Sequence, residues 1–261
     1  MRIALGIEYS GWNYFGFQRQ HTKLTIQGEI ERALSCVAAS PIQIQCAGRT
    51  DAGVNATGQV VHFDTDKERS DRSWVLGTNG NLPEDIAVTW ARHVDDSFHA
   101  RFSARARRYR YILQNTMHRP GILKQGVSVY CGNYDIDLMQ KAASILIGEH
   151  DFSSFCGADE ESRSKSRCVH FVEVSRHGPF IVFDIAANAF LNHMVRNIVG
   201  TLLEVGSGAH DLKWFEEAFL ACKRSRAGTT ARPDGLYLVD VTYPSEFNLP
   251  KRDFIGPLWL P

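Results

Sequence analysis

The six cysteines of this 261-residue chain include no pair at Cys-x-x-Cys spacing, which argues against a zinc knuckle or ribbon. Their wide spacing in a chain of this size also argues against a disulfide framework. The ten histidines form no His-Glu-x-x-His or other metal-ligand spacing, so no metal site is expected. Gly200, Gly206 and Gly208 follow a helical pattern rather than a strand, so they do not make a dinucleotide fingerprint and no cofactor is expected. No apolar run approaches the roughly 20 residues of a membrane span, and the N-terminal segment has neither the charged nor the apolar region of a signal peptide. The expectation is a cytoplasmic protein with reduced thiols and no membrane partner. Low-complexity stretches and Pro/Gly-rich linkers are missing too.

Net charge is also absent, with 29 Lys and Arg against 29 Asp and Glu, so bulk charge announces no polyanionic partner. The distribution says more. From Ser97 to Tyr134 there is no acidic residue, while Arg101, Arg105, Arg107, Arg108, Arg110, Arg119 and Lys124 all fall there. Such a stripe suits a face that meets an anion. A solvated surface whose acids come from elsewhere in the fold accounts for it equally well. Hydrophobic residues make up 44% of the chain, enough for a substantial core.

Periodicity supplies the elements. Ile3, Leu5, Ile7 and Tyr9 alternate as in a strand. Thr25 is placed to cap a helix with the stripe Ile26, Ile30, Leu34 and Val37. Ile42 to Cys46, Gln59 to Phe63 and Ile86 to Val94 read as strands, and Ser73 to Gly77 as helical. Further on, Tyr109 to Leu113 is a strand and Asp135 to Ile147 a helix. Val169 to Arg176 and Phe180 to Ala187 form a hairpin turned at His177-Gly178-Pro179. Phe190, Met194, Ile198 and Leu202 share a helical stripe with Leu191, Val195, Val199 and Leu203, which should be core. A helix over Asp211 to Cys222 and a strand over Leu236 to Val241 complete the pattern. The alternation lacks the β-then-α rhythm of a parallel doubly wound sheet. It predicts an α+β fold of two similar halves, 1–103 and 104–261, whose antiparallel sheets join.

Two glycines bracket an Arg-Thr-Asp triplet in Gly48 to Gly53. Glycine permits tight turning and close approach to a ligand, and an Arg two residues from an Asp suits an anionic substrate held beside a reacting carboxylate. Composition alone favours an ordinary turn, since Gly and Asp form turns for local reasons. The full string GRTDAGV, followed by GQVVHF, resembles the signature of the tRNA pseudouridine synthase A family. The likeness runs along most of the chain. It includes Tyr9-Ser10-Gly11-Trp12, Phe15-Gly16-Phe17-Gln18, Thr25-Ile26-Gln27-Gly28, Asn81-Leu82-Pro83, Phe98-His99-Ala100-Arg101-Phe102 and Arg108-Tyr109-Arg110-Tyr111. Later come Asp151-Phe152-Ser153-Ser154-Phe155, Met194-Val195-Arg196-Asn197 and Asp234-Gly235-Leu236-Tyr237. One departure is Asn55, where many members have His.

The resemblance implies an isomerase that converts uridine to pseudouridine at positions 38, 39 and 40 of the tRNA anticodon stem-loop, as a homodimer without cofactor or metal. It implies two ferredoxin-like or RNA-recognition-like halves sharing a mainly antiparallel central sheet, with the active-site cleft between them. Asp51 matches the essential carboxylate, Arg49 an Arg associated with extracting the target base, Tyr109 the Tyr packed on the uracil, and Arg196 an Arg paired with the catalytic Asp. Phe98 to Phe102 and the stretch 159–163, with Ser162 and Arg163, match RNA-contacting segments; Asp159, Glu160 and Glu161 give the second an acidic start.

The residue chemistry agrees. Isomerising uridine breaks the C1′–N1 bond, turns the uracil and joins C1′ to C5. One ionised carboxylate serves this as nucleophile at C1′ or as base at C2′. Alternation along the strand sends Tyr109 and Tyr111 to one face and Arg108 and Arg110 to the other. The Tyr109 ring suits stacking on a flipped uracil, though an ordinary half-buried strand tyrosine fits the same pattern, and Arg107, Arg108 and Arg110 suit phosphates. A non-catalytic RNA-binding module would use the same basic stripe. A glycoside or nucleoside hydrolase would use Asp51 with a second carboxylate, and none is evident in these motifs.

Overall fold

A computed structural model describes residues 1–158 and 162–250. In chain order its elements begin with β1 (Arg2–Tyr9), α1 (Ile26–Ala38), β2 (Gln45–Cys46), β3 (Asn55–Asp64), α2 (Asp71–Asn79) and β4 (Ile86–Val94). They continue with β5 (Ala106–Asn115), β6 (Ser128–Tyr130), α3 (Ile136–Ser144), β7 (Gly148–Asp151), β8 (Ser166–His177) and β9 (Phe180–Ala187). The last are α4 (Met194–Gly206), α5 (Leu212–Leu220) and β10 (Leu236–Thr242). The class is α+β, as expected. The chain forms two compact units, Met1–Ala106 with the segment from Tyr237, and Arg107–Leu236. The chain passes to the second unit after Ala106 and returns to the first at Tyr237.

In the first unit β1 is central, antiparallel to β3 and to β4. Its apolar residues enter the core; Ile3, Leu5 and Ile7 are fully buried. β2 pairs with the far end of β3, and Tyr237 and Leu238 of β10 run parallel to Asn55 and Ala56 at its near end. Thr25 caps α1 as its sequence suggests, accepting from the Gly28 amide. Trp74 of α2 is fully buried and meets Phe63 of β3 edge-on at 5.1 Å. The strand expected from Ile42 shortens to Gln45–Cys46. The reason is on α1: the Ile42 amide donates to Ser35 Oγ and the Ile44 amide to Glu31 Oε1. Helix side chains take the donors that a ladder would have used.

In the second unit β5, β9, β8 and β7 pair antiparallel in that order, and β6 lies parallel to β5. The expected hairpin is β8–β9. Asp135 and Asp211 cap α3 and α5 through the Leu138 and Trp214 amides. The broad stripe of α4 is core: Met194, Ile198, Val199 and Leu202 are no more than 2% exposed. The helix starts later than Phe190 because His193 takes a left-handed conformation, φ 59°. Phe152, Phe155 and Phe219 form an aromatic cluster with ring centroids 5.3–6.5 Å apart. The Asp-Phe-Ser-Ser-Phe motif is therefore packing.

Alternation along β5 buries Tyr109 and Tyr111 and turns Arg108 and Arg110 to the opposite face. There Asp184 of β9 receives both guanidinium groups, Arg108 through two bonds of 2.7 and 2.8 Å and Arg110 through bonds of 3.0 and 2.7 Å. Asp184 is buried, and Arg108 also lies over the Phe171 ring. Removing one partner from such a pair leaves charge stranded. Asp184→Asn should cost about 3 kcal/mol, read as a fall in the urea midpoint. An unchanged midpoint would show that the cluster has no structural role.

Candidate active site

Asp51 sits in the turn that leads from β2 into β3. The Val54 amide donates to the Asp51 carbonyl at 3.1 Å, and Gly53 takes φ 79°, which an L side chain resists. Several contacts hold the backbone of this loop. The buried Tyr9 hydroxyl lies 2.7 Å from Thr50 Oγ1, and the Phe17 amide donates to the Thr50 carbonyl at 3.0 Å. Gln59, fully buried on β3, donates to the Gly48 carbonyl at 2.7 Å and accepts from its amide at 3.4 Å. Asn55, at the position of departure noted above, accepts from the Gly11 amide at 2.9 Å. Gly16, φ 92°, presses against the loop main chain. A Cβ there would stand 2.9 Å from the Thr50 carbonyl oxygen and 3.3 Å from Asp51 C. Asp51 is half-buried and Arg49 exposed, while Thr50 between them points inward.

Phe98 to Phe102 divides by side chain. Phe98 is fully buried against His62, Tyr243 and Phe247, and Ala100 is buried. The Tyr243 hydroxyl donates to the Ala100 carbonyl at 2.6 Å. His99 closes the turn by accepting from the Arg101 and Phe102 amides. Only Arg101 and Phe102 of this stretch are exposed, Phe102 to 76%. Arg49 and Arg101 both act on Cys46, whose thiol burial pushes up to about 11 against the pull of the two cations. The unit thus brings Arg49, Arg101 and the Asp51 loop into one neighbourhood.

In the second unit Tyr109 is buried on β5 and meets Phe190 edge-on at 4.9 Å. Arg196 lies in the first turn of α4. Its Nε donates to the Ala231 carbonyl at 2.8 Å while its own carbonyl accepts from the Ala231 amide at 3.0 Å. Asn197 and Thr201 pin the same segment, through Thr230 Oγ1 and the Gly228 amide. Asp234 opens the Asp234-Gly235-Leu236-Tyr237 motif. It carries a carboxyl that burial lifts above its usual range, opposed by the charges of Arg232 and Arg196. Arg107 donates to the Asn188 carbonyl, and Arg108 and Arg110 serve Asp184. Ser162 accepts from Arg167, and Arg163 is exposed. Asp159, Glu160 and Glu161 lie outside the described residues.

Sequence reading missed Tyr9, Thr50 and Gln59, which hold Asp51 rather than react. Their signal was present in the Tyr9-Ser10-Gly11-Trp12 and GQVVHF strings, read there only as likeness. Among the described residues no three His, Cys, Asp or Glu gather as metal ligands, and no helix is long and apolar enough to cross a membrane.

A family model described as tRNA pseudouridine synthase matches residues 6–103 and 142–244. The match covers Arg49, Asp51, Phe98 to Phe102, Ser162, Arg163 and Arg196; Tyr109 falls between its two stretches. Relatives named tRNA pseudouridine synthase A include one from a Shewanella species, 58% identical over 260 residues, covering 100% of this chain and 99% of its own length. The one from Shewanella amazonensis is 59% identical over 261 residues, with both chains covered to 100%. That from Aeromonas hydrophila is 58% identical, with 100% and 97% covered. A chain in the crystal structure of a Cbf5-Nop10-Gar1 complex aligns over 90% of this chain and 48% of itself at 11% identity, with a TM-score of 0.40 that carries no argument.

His62 holds the Phe98–Phe102 turn by accepting from the Ala100 amide at Nδ1, 3.1 Å away, so its proton sits on Nε2. Burial lowers its pKa from 6.5 to about 4, helped by His99 and Arg2. Between those values the unfolded chain binds a proton that the folded chain refuses, so stability is full above 6.5 and falls as pH drops toward 4. His62→Gln, whose amide oxygen still accepts, should flatten the fall in urea midpoint across this window. Equal slopes in both proteins would remove His62 from the explanation.

Proposed function

We propose, from the premise that the chain belongs to the tRNA pseudouridine synthase family, that it isomerises uridines 38, 39 and 40 in the tRNA anticodon stem-loop with Asp51 as the reacting carboxylate. The observation that carries this is the Asp51 loop itself. Its backbone is gripped at Gly48, Thr50 and Val54 while the Asp51 side chain stays half-exposed. A carboxylate so held reaches one sugar atom without paying to order itself at each turnover.

In this reading the target uridine leaves its stack, because no group reaches C1′ inside a helix. Asp51 either attacks C1′, displacing N1 and forming an ester, or removes the C2′ proton to give a glycal. The freed uracil turns so that C5 faces C1′. The new C1′–C5 bond then forms, Asp51 is released or returns the C2′ proton, and C5 loses its proton while N1 gains one. Atoms balance, and no oxidant or cofactor enters. Tyr109 offers its ring to the uracil, worth about 1–3 kcal/mol in stacking. The family likeness assigns Arg196 to pair with the reacting carboxylate; its Nε is held on the Ala231 carbonyl. Arg49 assists extraction of the base. Arg101 and Phe102, both exposed, meet the RNA, whereas Arg108 and Arg110 contribute to folding through Asp184. The family likeness supports a homodimer working in the cytoplasm.

Asp51→Asn keeps the shape and removes the charge. On an anticodon stem-loop transcript it should abolish pseudouridine formation, by at least a thousandfold on the scale of a lost catalytic group, with RNA affinity nearly unchanged. Activity within tenfold of wild type would refute the assignment. Free uracil released by the wild-type protein would indicate a hydrolase instead.

A further inference from the structure

The segment between β1 and α1 has no role in the reaction described above, yet it is bolted to the back of the Asp51 loop. Gly16 touches the main chain of Thr50, Asp51 and Ala52, and the Phe17 amide binds the Thr50 carbonyl. On this fixed base two large rings face water: Phe15 is 52% exposed and Trp12 37%. Phe15 is held at its backbone, where its amide donates to the Leu24 carbonyl and its carbonyl accepts from Gln20 Nε2. Lys23 Nζ lies 4.9 Å from the Phe15 ring centroid.

The charges around these rings favour a polyanion. No acidic residue occurs from Tyr9 to Gly28, and Arg19, His21 and Lys23 all fall there. Arg19 is engaged by the buried Glu31 at 3.0 Å. Asp85 faces the segment and is engaged by Asn13 and the Tyr14 hydroxyl. Lys23 is exposed beside the Phe15 ring, and His21 is exposed in the same segment. Exposed aromatic surface with a lysine beside it suits stacked bases and their phosphates. A protein partner would not need both features.

We propose that Trp12 and Phe15 form a stacking platform for unpaired nucleobases flanking the target uridine, with His21 and Lys23 against the connecting phosphates. This rests on the tRNA reading above. It assigns to the β1–α1 segment a task the catalytic residues do not perform. One base leaves the loop for the reaction, and its neighbours, deprived of that stacking partner, find another on the protein.

The test uses the full chain and anticodon stem-loop RNAs carrying 2-aminopurine at single loop positions, whose fluorescence is quenched by stacking. Wild type should quench the probe at a position next to the target. Phe15→Leu and Trp12→Leu should each lose that quench and weaken binding roughly 5- to 150-fold, the factor that about 1–3 kcal/mol of stacking represents. Phe15→Tyr should retain both. The proposal is overturned if both leucine variants bind and quench as wild type, or if Phe15→Tyr fails as badly as Phe15→Leu, which would make the ring a packing element. A change in oligomeric state with RNA affinity intact also overturns it, since the rings would then meet a second copy. Asp51→Asn separates this from the catalytic reading. Quenching without turnover in that variant supports the platform, and quenching by a wild-type protein that makes no pseudouridine supports it while defeating the isomerase assignment.

Discussion

The main-chain grip on the Asp51 loop is the constraint from which the rest of the first unit follows. A two-residue strand enters the loop and a ten-residue strand leaves it. Neither alone fixes a turn containing Gly48 and Gly53. The fixing comes from behind. Tyr9, at the end of β1, reaches Thr50 in a buried bond, Gln59 binds Gly48 at both amide and carbonyl, and the Gly16 region lies flush on the loop backbone. Tyr9 and Gln59 are buried polar groups with partners present, the condition under which such groups rigidify a fold rather than destabilise it. The burial of β1, the capped start of α1 and the left-handed turn at Gly16 all serve to bring these partners to one place.

The basic stretch from Ser97 to Tyr134 shows how one run of charge divides between structure and surface. Arg108 and Arg110 turn toward Asp184, and the buried acid explains why two arginines can sit side by side on one strand face. Arg107 closes onto the Asn188 carbonyl. Arg101, on the turn held by His62 and Tyr243, faces outward. The exposed cations of this stretch are thus few and set by buried neighbours, not a uniform stripe. Phosphate contacts position RNA without reading its sequence.

Local rules made much of this legible. Thr25, Asp135 and Asp211 cap helices because a side-chain oxygen beside the first turn satisfies an orphan amide, a relation visible in a few residues. The stripe of α4 and the alternation of β5 were equally local. What escaped depends on residues far apart in sequence. Arg108 and Asp184 are 76 positions apart, Tyr9 and Thr50 are 41, and His62 and Ala100 are 38. No periodicity announces such pairs. The shortened β2 escaped for the same reason, since its donors were claimed by Glu31 and Ser35 of α1. The site was legible as a motif, while the residues that hold it became visible only in three dimensions.

The central claim is that the loop's rigidity, and not merely the presence of a carboxylate, makes Asp51 effective. Thr50→Val keeps the volume and β-branching of the buried residue and deletes its bond to Tyr9. Single-turnover pseudouridine formation at saturating stem-loop RNA measures the consequence directly. The account predicts a rate about 10- to 100-fold below wild type, the scale of an ångström-level misplacement, with RNA affinity unchanged. A Thr50→Val protein that folds normally and reacts at the wild-type rate would contradict it.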